Sequence, residues 1–190
     1  MRHTCGITTG GDLYCWGNGD RGALGDGNTS SHRVMTPILI NSGKKFAKIS
    51  AGALHNCAID THGETYCWGS GIVGQTGNGS TSDASVPTLI SGGHQFSEIS
   101  SGVFTTCGLK ANGEVYCWGE GDSGQRGDGT TDFVGATPVK VDTTIAFNSI
   151  SVGETFACAT TAEKRLYCWG DLDALDVKRH TRPHLMNYTY

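Results

Sequence analysis

Charge is scarce in this chain. Only 17% of its 190 residues are Asp, Glu, Lys or Arg, and they sum to a mild −4. Without a basic surplus there is no electrostatic footprint for a phosphate backbone, which argues against nucleic acid as a partner. Long apolar runs are missing as well: no stretch of eighteen exists, so no helix is expected to cross a membrane. The chain holds no G-x-S-x-G elbow, no P-loop and no H-E-x-x-H, and these absences remove the common hydrolase, nucleotide and zinc-protease chemistries. No two cysteines stand two to four residues apart, the usual spacing of structural zinc ligands. The expectation is a protein with no catalytic residues, no cofactor and no metal.

Glycine is abundant, at 29 residues, roughly twice its average share. Many short strands joined by glycine turns give that composition; long helices do not. The strands are organised by one tetrapeptide that occurs four times, at Tyr14-Cys15-Trp16-Gly17, Tyr66-Cys67-Trp68-Gly69, Tyr116-Cys117-Trp118-Gly119 and Tyr167-Cys168-Trp169-Gly170. Another cysteine stands ten residues before the cysteine of each tetrapeptide, giving the pairs Cys5/Cys15, Cys57/Cys67, Cys107/Cys117 and Cys158/Cys168, which use all eight cysteines. A period of about 51 residues marks a repeat array.

Within a pair the cysteines flank a turn such as Asp60-Thr61-His62-Gly63-Glu64. A hairpin folded there sets them opposite one another, within disulfide reach. Metal ligation or free thiols are the alternative, and disulfides are favoured. Each bridge contributes roughly 2–3 kcal/mol on the chain-entropy account. Four of them imply an oxidising compartment: secreted, periplasmic or cell-surface.

The second unit lays out the rest. Phe46–Gly52 reads as a strand, with counterparts at Phe96–Gly102 and Phe147–Gly153. His55–Ile59 and Glu64–Trp68 form the cysteine hairpin. A glycine-rich loop leads to a proline-led strand, Val86–Ile90, recurring at Thr36–Ile40, Thr137–Val141 and Arg182–Met186. Four short strands per unit make one propeller blade. The expected fold is all-β, a propeller-type array of four repeats spanning 1–45, 46–95, 96–146 and 147–190 as a single domain. Met1 falls only four residues before Cys5, so the first unit lacks its opening strand, and fifteen of sixteen strands are expected. With Met1-Arg2-His3-Thr4 leading straight into the repeat, no signal peptide is expected and the chain reads as a fragment or a trimmed piece. The open edge beside Cys5 seeks a partner. Tyr188-Thr189-Tyr190 of the same chain could fill it and close a four-bladed ring. Another chain could fill it by strand exchange, or further blades could complete it.

The loop after each tryptophan carries a family resemblance. It reads Trp16-Gly17-Asn18-Gly19-Asp20-Arg21-Gly22-Ala23-Leu24-Gly25-Asp26-Gly27, then Trp68-Gly69-Ser70-Gly71-Ile72-Val73-Gly74-Gln75-Thr76-Gly77-Asn78-Gly79, then Trp118-Gly119-Glu120-Gly121-Asp122-Ser123-Gly124-Gln125-Arg126-Gly127-Asp128-Gly129. This pattern resembles the regulator-of-chromosome-condensation repeat, whose propellers have seven blades, and the cysteine pairs resemble those of secreted bacterial members. The fourth unit departs, with Asp171-Leu172-Asp173-Ala174-Leu175-Asp176 in place of the glycines, and four units stand where the family builds seven. The resemblance implies functions from nucleotide-exchange scaffolds to protein inhibitors of β-lactamases. A guanine-nucleotide exchange role needs a reducing compartment, which the paired cysteines oppose.

Other side chains are weighed against plainer roles. Trp16, Trp68, Trp118 and Trp169 are expected to pack between blades, with sugar or peptide stacking as the alternative. Asp20, Asp26, Asp122 and Asp128 offer hard oxygens for calcium, but Asp in such loops ordinarily bonds its own turn. Arg126-Gly127-Asp128 is an integrin-type tripeptide lying inside the repeat motif. His3 and His55 recur in register and are expected to pack rather than ligate. Asn28, Asn78 and Asn187 head N-glycosylation sequons. The function expected is a non-catalytic extracellular binding module that meets protein partners through its blade loops. The alternative is a structural subunit of an extracellular assembly that associates with itself through the open first-blade edge.

Overall fold

The computed structural model describes residues 3–172 and 179–186. Among the described residues, fifteen strands form four antiparallel sheets. The first holds β1 (His3–Ile7), β2 (Leu13–Asn18) and β3 (Arg33–Leu39). The second holds β4 (Phe46–Ala51), β5 (His55–Asp60), β6 (Thr65–Gly69) and β7 (Ala84–Leu89). The third holds β8 (Glu98–Ser101), β9 (Thr105–Leu109), β10 (Val115–Glu120) and β11 (Val134–Lys140). The fourth holds β12 (Ser149–Val152), β13 (Phe156–Thr160), β14 (Leu166–Gly170) and β15 (His180–Leu185). Strands follow chain order across each sheet, and among the described residues the three-stranded first sheet has no counterpart of β4, β8 and β12. Asp173–Asp176, Asn187 and Tyr188–Tyr190 lie outside the described residues.

The cysteines meet as the spacing predicts. Cys5 faces Cys15, Cys57 faces Cys67, Cys107 faces Cys117 and Cys158 faces Cys168 in the strand register. Each pair is disulfide-bonded with its Cα atoms 4.1 Å apart. So close an approach marks a position where the two strands do not exchange backbone hydrogen bonds.

The outer strands begin earlier than their prolines suggest. Pro37, Pro87, Pro138 and Pro183 sit inside β3, β7, β11 and β15, not at their starts. Each lies where the register slips. In the second sheet Cys67 pairs Thr88 and Gly69 pairs Ala84, so Ser85–Pro87 bulge opposite Trp68 alone. The missing proline donor falls in a bulge on an edge strand, where no ladder bond is lost. The strands expected from Phe96 and Phe147 likewise open later, at Glu98 and Ser149.

The core lies between sheets, not within them. Phe46, Leu13, Leu24 and Trp68 form one buried cluster joining the first and second sheets. Phe96 and Trp118 join the second to the third, and Phe147 and Trp169 the third to the fourth. Trp68, Trp118 and Trp169 are fully buried. Burying a ring of that size removes roughly 200 Å² from water, about 5 kcal/mol each before entropic costs.

The glycine-rich loop explains this burial. The loop of one sheet reaches over to the next: Gly27, Gly79 and Gly129 donate their amides to the carbonyls of Ser85, Ala136 and Thr181 at 2.9, 2.8 and 2.9 Å. Gly25, Gly77 and Gly127 lie on the rings of Trp68, Trp118 and Trp169. Trp118 and Trp169 donate their indole N–H to the Gln75 and Gln125 carbonyls, both at 3.0 Å. Trp68 breaks the pattern. Asn56 Nδ2 already donates to the corresponding Ala23 carbonyl at 2.7 Å, and the Trp68 indole N–H is buried without a partner. Phenylalanine at Trp118 is therefore expected to cost about 1 kcal/mol more than at Trp68, because only the first change discards a hydrogen bond. Paired urea unfolding curves measure that difference.

Candidate protein-binding face

Alternation of strand direction sorts the connections to two ends. One end gathers the turns 52–54, 102–104 and 153–155 together with the long loops that follow the tryptophans. The two kinds are stitched together in the second, third and fourth sheets. Leu54 accepts the Ser70 amide at 2.8 Å, Phe104 the Glu120 amide at 3.0 Å, and Thr155 the Asp171 amide at 2.9 Å. The other end carries the short hairpin turns and the connections between sheets.

The long-loop end is acidic. Asp26, Asp122, Asp132 and Glu154 are exposed there, and Asp20, Asp83 and Glu120 are half-buried. Partial burial raises the Glu120 carboxyl above its ordinary range, and the nearby charges of Asp122 and Glu154 push the same way. The exposed arginines among the described residues of this end are Arg21, Arg33 and Arg179.

Between the first two sheets this end opens into a cleft of about 770 Å³, lined by Asp20, Arg21, Thr29, Ser31, Ala53, Leu54 and Asp83. Arg21 spans it, donating to Asp83 Oδ2 at 3.3 Å, while Asp83 Oδ1 accepts the Gly71 amide at 3.0 Å. Arg21 sits at φ 56°, in the left-handed region. Its counterparts Val73 and Ser123 do not. In those units the side chains of Gln75 and Gln125 accept the amides of Val73 and Ser123 at 3.0 and 2.8 Å and hold the turn. Ala23 stands at that place in the first unit and offers no such acceptor, so Asp20–Gly22 tightens into a 3₁₀ turn.

The residues singled out in the sequence have different fates. Asp26 Oδ1 accepts the Asn28 amide at 3.1 Å and its Oδ2 meets His32 at 2.8 Å. Asp128 accepts the amide of Thr130 and the guanidinium of Arg126. These carboxylates serve their own turns, and no group of three metal-ligating side chains gathers among the described residues. Arg126 is 3% exposed, so Arg126-Gly127-Asp128 is folded inward and its arginine is not displayed. His3 and His55 are buried between sheets, their Nε2 atoms 2.9 Å from Asn56 Oδ1 and 2.8 Å from Thr106 Oγ1. Asn28 is exposed and Asn78 half-buried, each accepting the amide two residues on. Trp16 alone among the four tryptophans is half-exposed. The cleft itself had no signal in the sequence beyond the Ala23 exception.

Human E3 ubiquitin-protein ligase HERC2 is 37% identical over 79 residues, 40% of this chain and 2% of that protein. Human WBSCR16 superposes with a TM-score of 0.82 at 18% identity, covering 97% of this chain and 50% of that one. Yeast RCC1 (Prp20), solved bound to Kap60, superposes at 0.80 and 21% identity, covering 100% and 48%. The chain thus spans about half the length of these solved structures, and its four sheets correspond to about half of their propellers. A family model described as the regulator of chromosome condensation (RCC1) repeat matches residues 10–59, 62–109 and 112–160. On that match and that fold, the chain belongs to the RCC1-repeat family.

Proposed function

We propose that this chain is a non-catalytic binding module of an oxidising, extracellular compartment, and that it engages a protein partner through the long-loop end. The observation that carries the reading is the cleft between the first two sheets. Its wall holds Arg21 in a left-handed backbone, a conformation that costs roughly 1–2 kcal/mol for a residue with a Cβ. Strain of that kind persists where the surroundings impose it and gathers at binding sites. Arginine is also among the side chains that most often dominate protein interfaces. The acidic surroundings favour a partner with basic residues at its tip. Four disulfides support the compartment, and Asn28 and Asn78 are then available to glycosylation.

Arg21→Gly separates binding from folding. It relieves the backbone and removes an exposed ion pair worth little, so stability should rise by about 0.5–1 kcal/mol. Affinity for a partner captured from extracellular extract should fall at least roughly tenfold. Lys164, at φ 61° on the opposite end, is the control: Lys164→Gly should give a similar gain in Tm and leave binding intact. Equal binding by wild type and Arg21→Gly would refute the assignment.

A second reading rests on β1, which pairs only with β2 among the described strands. On this reading the chain serves as a structural subunit of an extracellular assembly, completed along β1 by another polypeptide.

A further inference from the structure

We propose that the junction between the second and third sheets carries an apolar anchor, made of Ile72, Phe133 and Val134. It takes a segment of a protein partner in which a large apolar side chain is flanked by arginine or lysine. The inference rests on the reading of the long-loop end as the binding face and names the chemistry that this face takes.

Strand register identifies the equivalent places of successive units. Gly17 pairs Val34, Gly69 pairs Ala84, Gly119 pairs Gly135 and Gly170 pairs His180. The residue just before each outer partner is thus Arg33, Asp83, Val134 or Arg179, and the one before that is His32, Ser82 or Phe133 in the first three units. In the loops, Ile72 holds the place of Asp20 and Asp122, and Val73 that of Arg21 and Ser123. At the junction of the first two sheets these places make an ion pair, Arg21 to Asp83 at 3.3 Å. At the junction of the third and fourth, Arg179 donates to the Asp122 carbonyl at 3.2 Å. The middle junction has an apolar residue at all four places.

Backbone contacts close that middle junction. Gly135 donates its amide to the Val73 carbonyl at 3.4 Å, and a Cβ on Gly74 would lie 2.5 Å from the Ala136 Cα. The loop of the second sheet therefore lies against the start of β11, with Ile72 on one side of the contact and Phe133–Val134 on the other. Val73 is buried, but Ile72, Phe133 and Val134 stay 45, 53 and 43% exposed. Apolar side chains left in water together, with a polar rim, mark an interaction site. The fold does not demand them, since other units carry charged or polar residues at the same places. Carboxylates form the rim. Glu120 faces Val134 across the ladder, the charges of Asp122 and Glu154 act on Glu120, and the exposed Asp132 adjoins Phe133. Such a rim repels a second copy of the same end and attracts a basic segment. The apolar centre supplies the desolvated contact that holds the segment in place.

The probe is the capped synthetic peptide Gly-Arg-Trp-Arg-Gly, titrated to millimolar concentration into the intact, oxidised chain and followed by NMR. The amide shifts of Ile72, Glu120 and Val134 should move, and Gly-Arg-Ser-Arg-Gly should bind at least about fivefold more weakly. The matched variant carries Ile72→Asp, Phe133→Ser and Val134→Asp together. Each new residue stands at that place in another unit, as Asp20, Ser82 and Asp83, so the urea midpoint should stay near that of wild type. The variant adds carboxylates beside the site, so the two accounts of binding differ in sign. An apolar anchor requires the tryptophan peptide to bind at least about fivefold more weakly; a contact made by charge alone requires it to bind more tightly. Equal or tighter binding by the variant would overturn the anchor and leave the basic-partner reading standing. No shift with either peptide would overturn both. A mass that doubles with concentration in light scattering, in wild type but not in the variant, would assign the patch to a second copy and overturn the proposal.

Discussion

Replacing Gly77 with alanine is expected to destabilise the chain by roughly 2–5 kcal/mol, although only one methyl group is added. Two costs combine. Gly77 has φ 65°, where a Cβ costs about 1–2 kcal/mol. That Cβ would also lie 2.6 Å from Trp118 Nε1. The indole cannot retreat, because it is fully buried and donates to the Gln75 carbonyl. Overpacking of this kind adds about 1–3 kcal/mol. Gly27 isolates the first cost from the second: it has φ 91° and nothing within 4 Å of the added atom. Gly27→Ala should then cost only about 1–2 kcal/mol. The urea midpoints of the two variants, at unchanged slope, measure the difference. Equal midpoints would show that the loop does not clamp the tryptophan.

The second large effect is acid sensitivity through His55. Its ring is fully buried, and that desolvation, aided by the neighbouring charge of His3, lowers its pKa to about 3 from an ordinary 6.5. The folded state therefore binds this proton less readily than the unfolded state. Its contribution is fully present above pH 6.5 and is lost as pH falls from there toward 3. At about 1.4 kcal/mol per unit, the loss by pH 4 is about 3 kcal/mol. His3 is lowered by burial and adds in the same direction. In His55→Gln, stability measured between pH 6.5 and 4 should fall less steeply than in wild type. Parallel slopes would mean that carboxylates alone set the acid limit.

Much of the architecture was legible because its signals are local. A fixed ten-residue spacing sets Cys57 against Cys67 with no knowledge of the rest of the chain, and the Tyr-Cys-Trp-Gly period counts the sheets. What stayed hidden depends on contacts between units. The sequence shows that Gly77 recurs, but not that it lies on the tryptophan of the following sheet. It shows Pro87, but a proline inside a bulge on an edge strand reads like a strand start. His3 and His55 read as packing residues, but the partners they pack on, Asn56 and Thr106 of the next unit, show only once the sheets stack. The cleft was illegible for the same reason: the backbone of Arg21 follows from the lack of a glutamine two residues on, and the opposite wall comes from Ala53 and Leu54, thirty residues away.

The reach of each loop to the following sheet gives the molecule a direction. A sheet borrows the cover for its tryptophan from the unit before it and lends the same cover to the unit after it. The segment that folds as a sheet is thus out of step with the segment that packs as one. Swapping or duplicating whole sheets would part every transplanted indole from the loop shaped to it. A graft that exchanges one loop together with the tryptophan it covers would carry its own fit, and that staggered piece is the natural currency for building longer or shorter members of this kind.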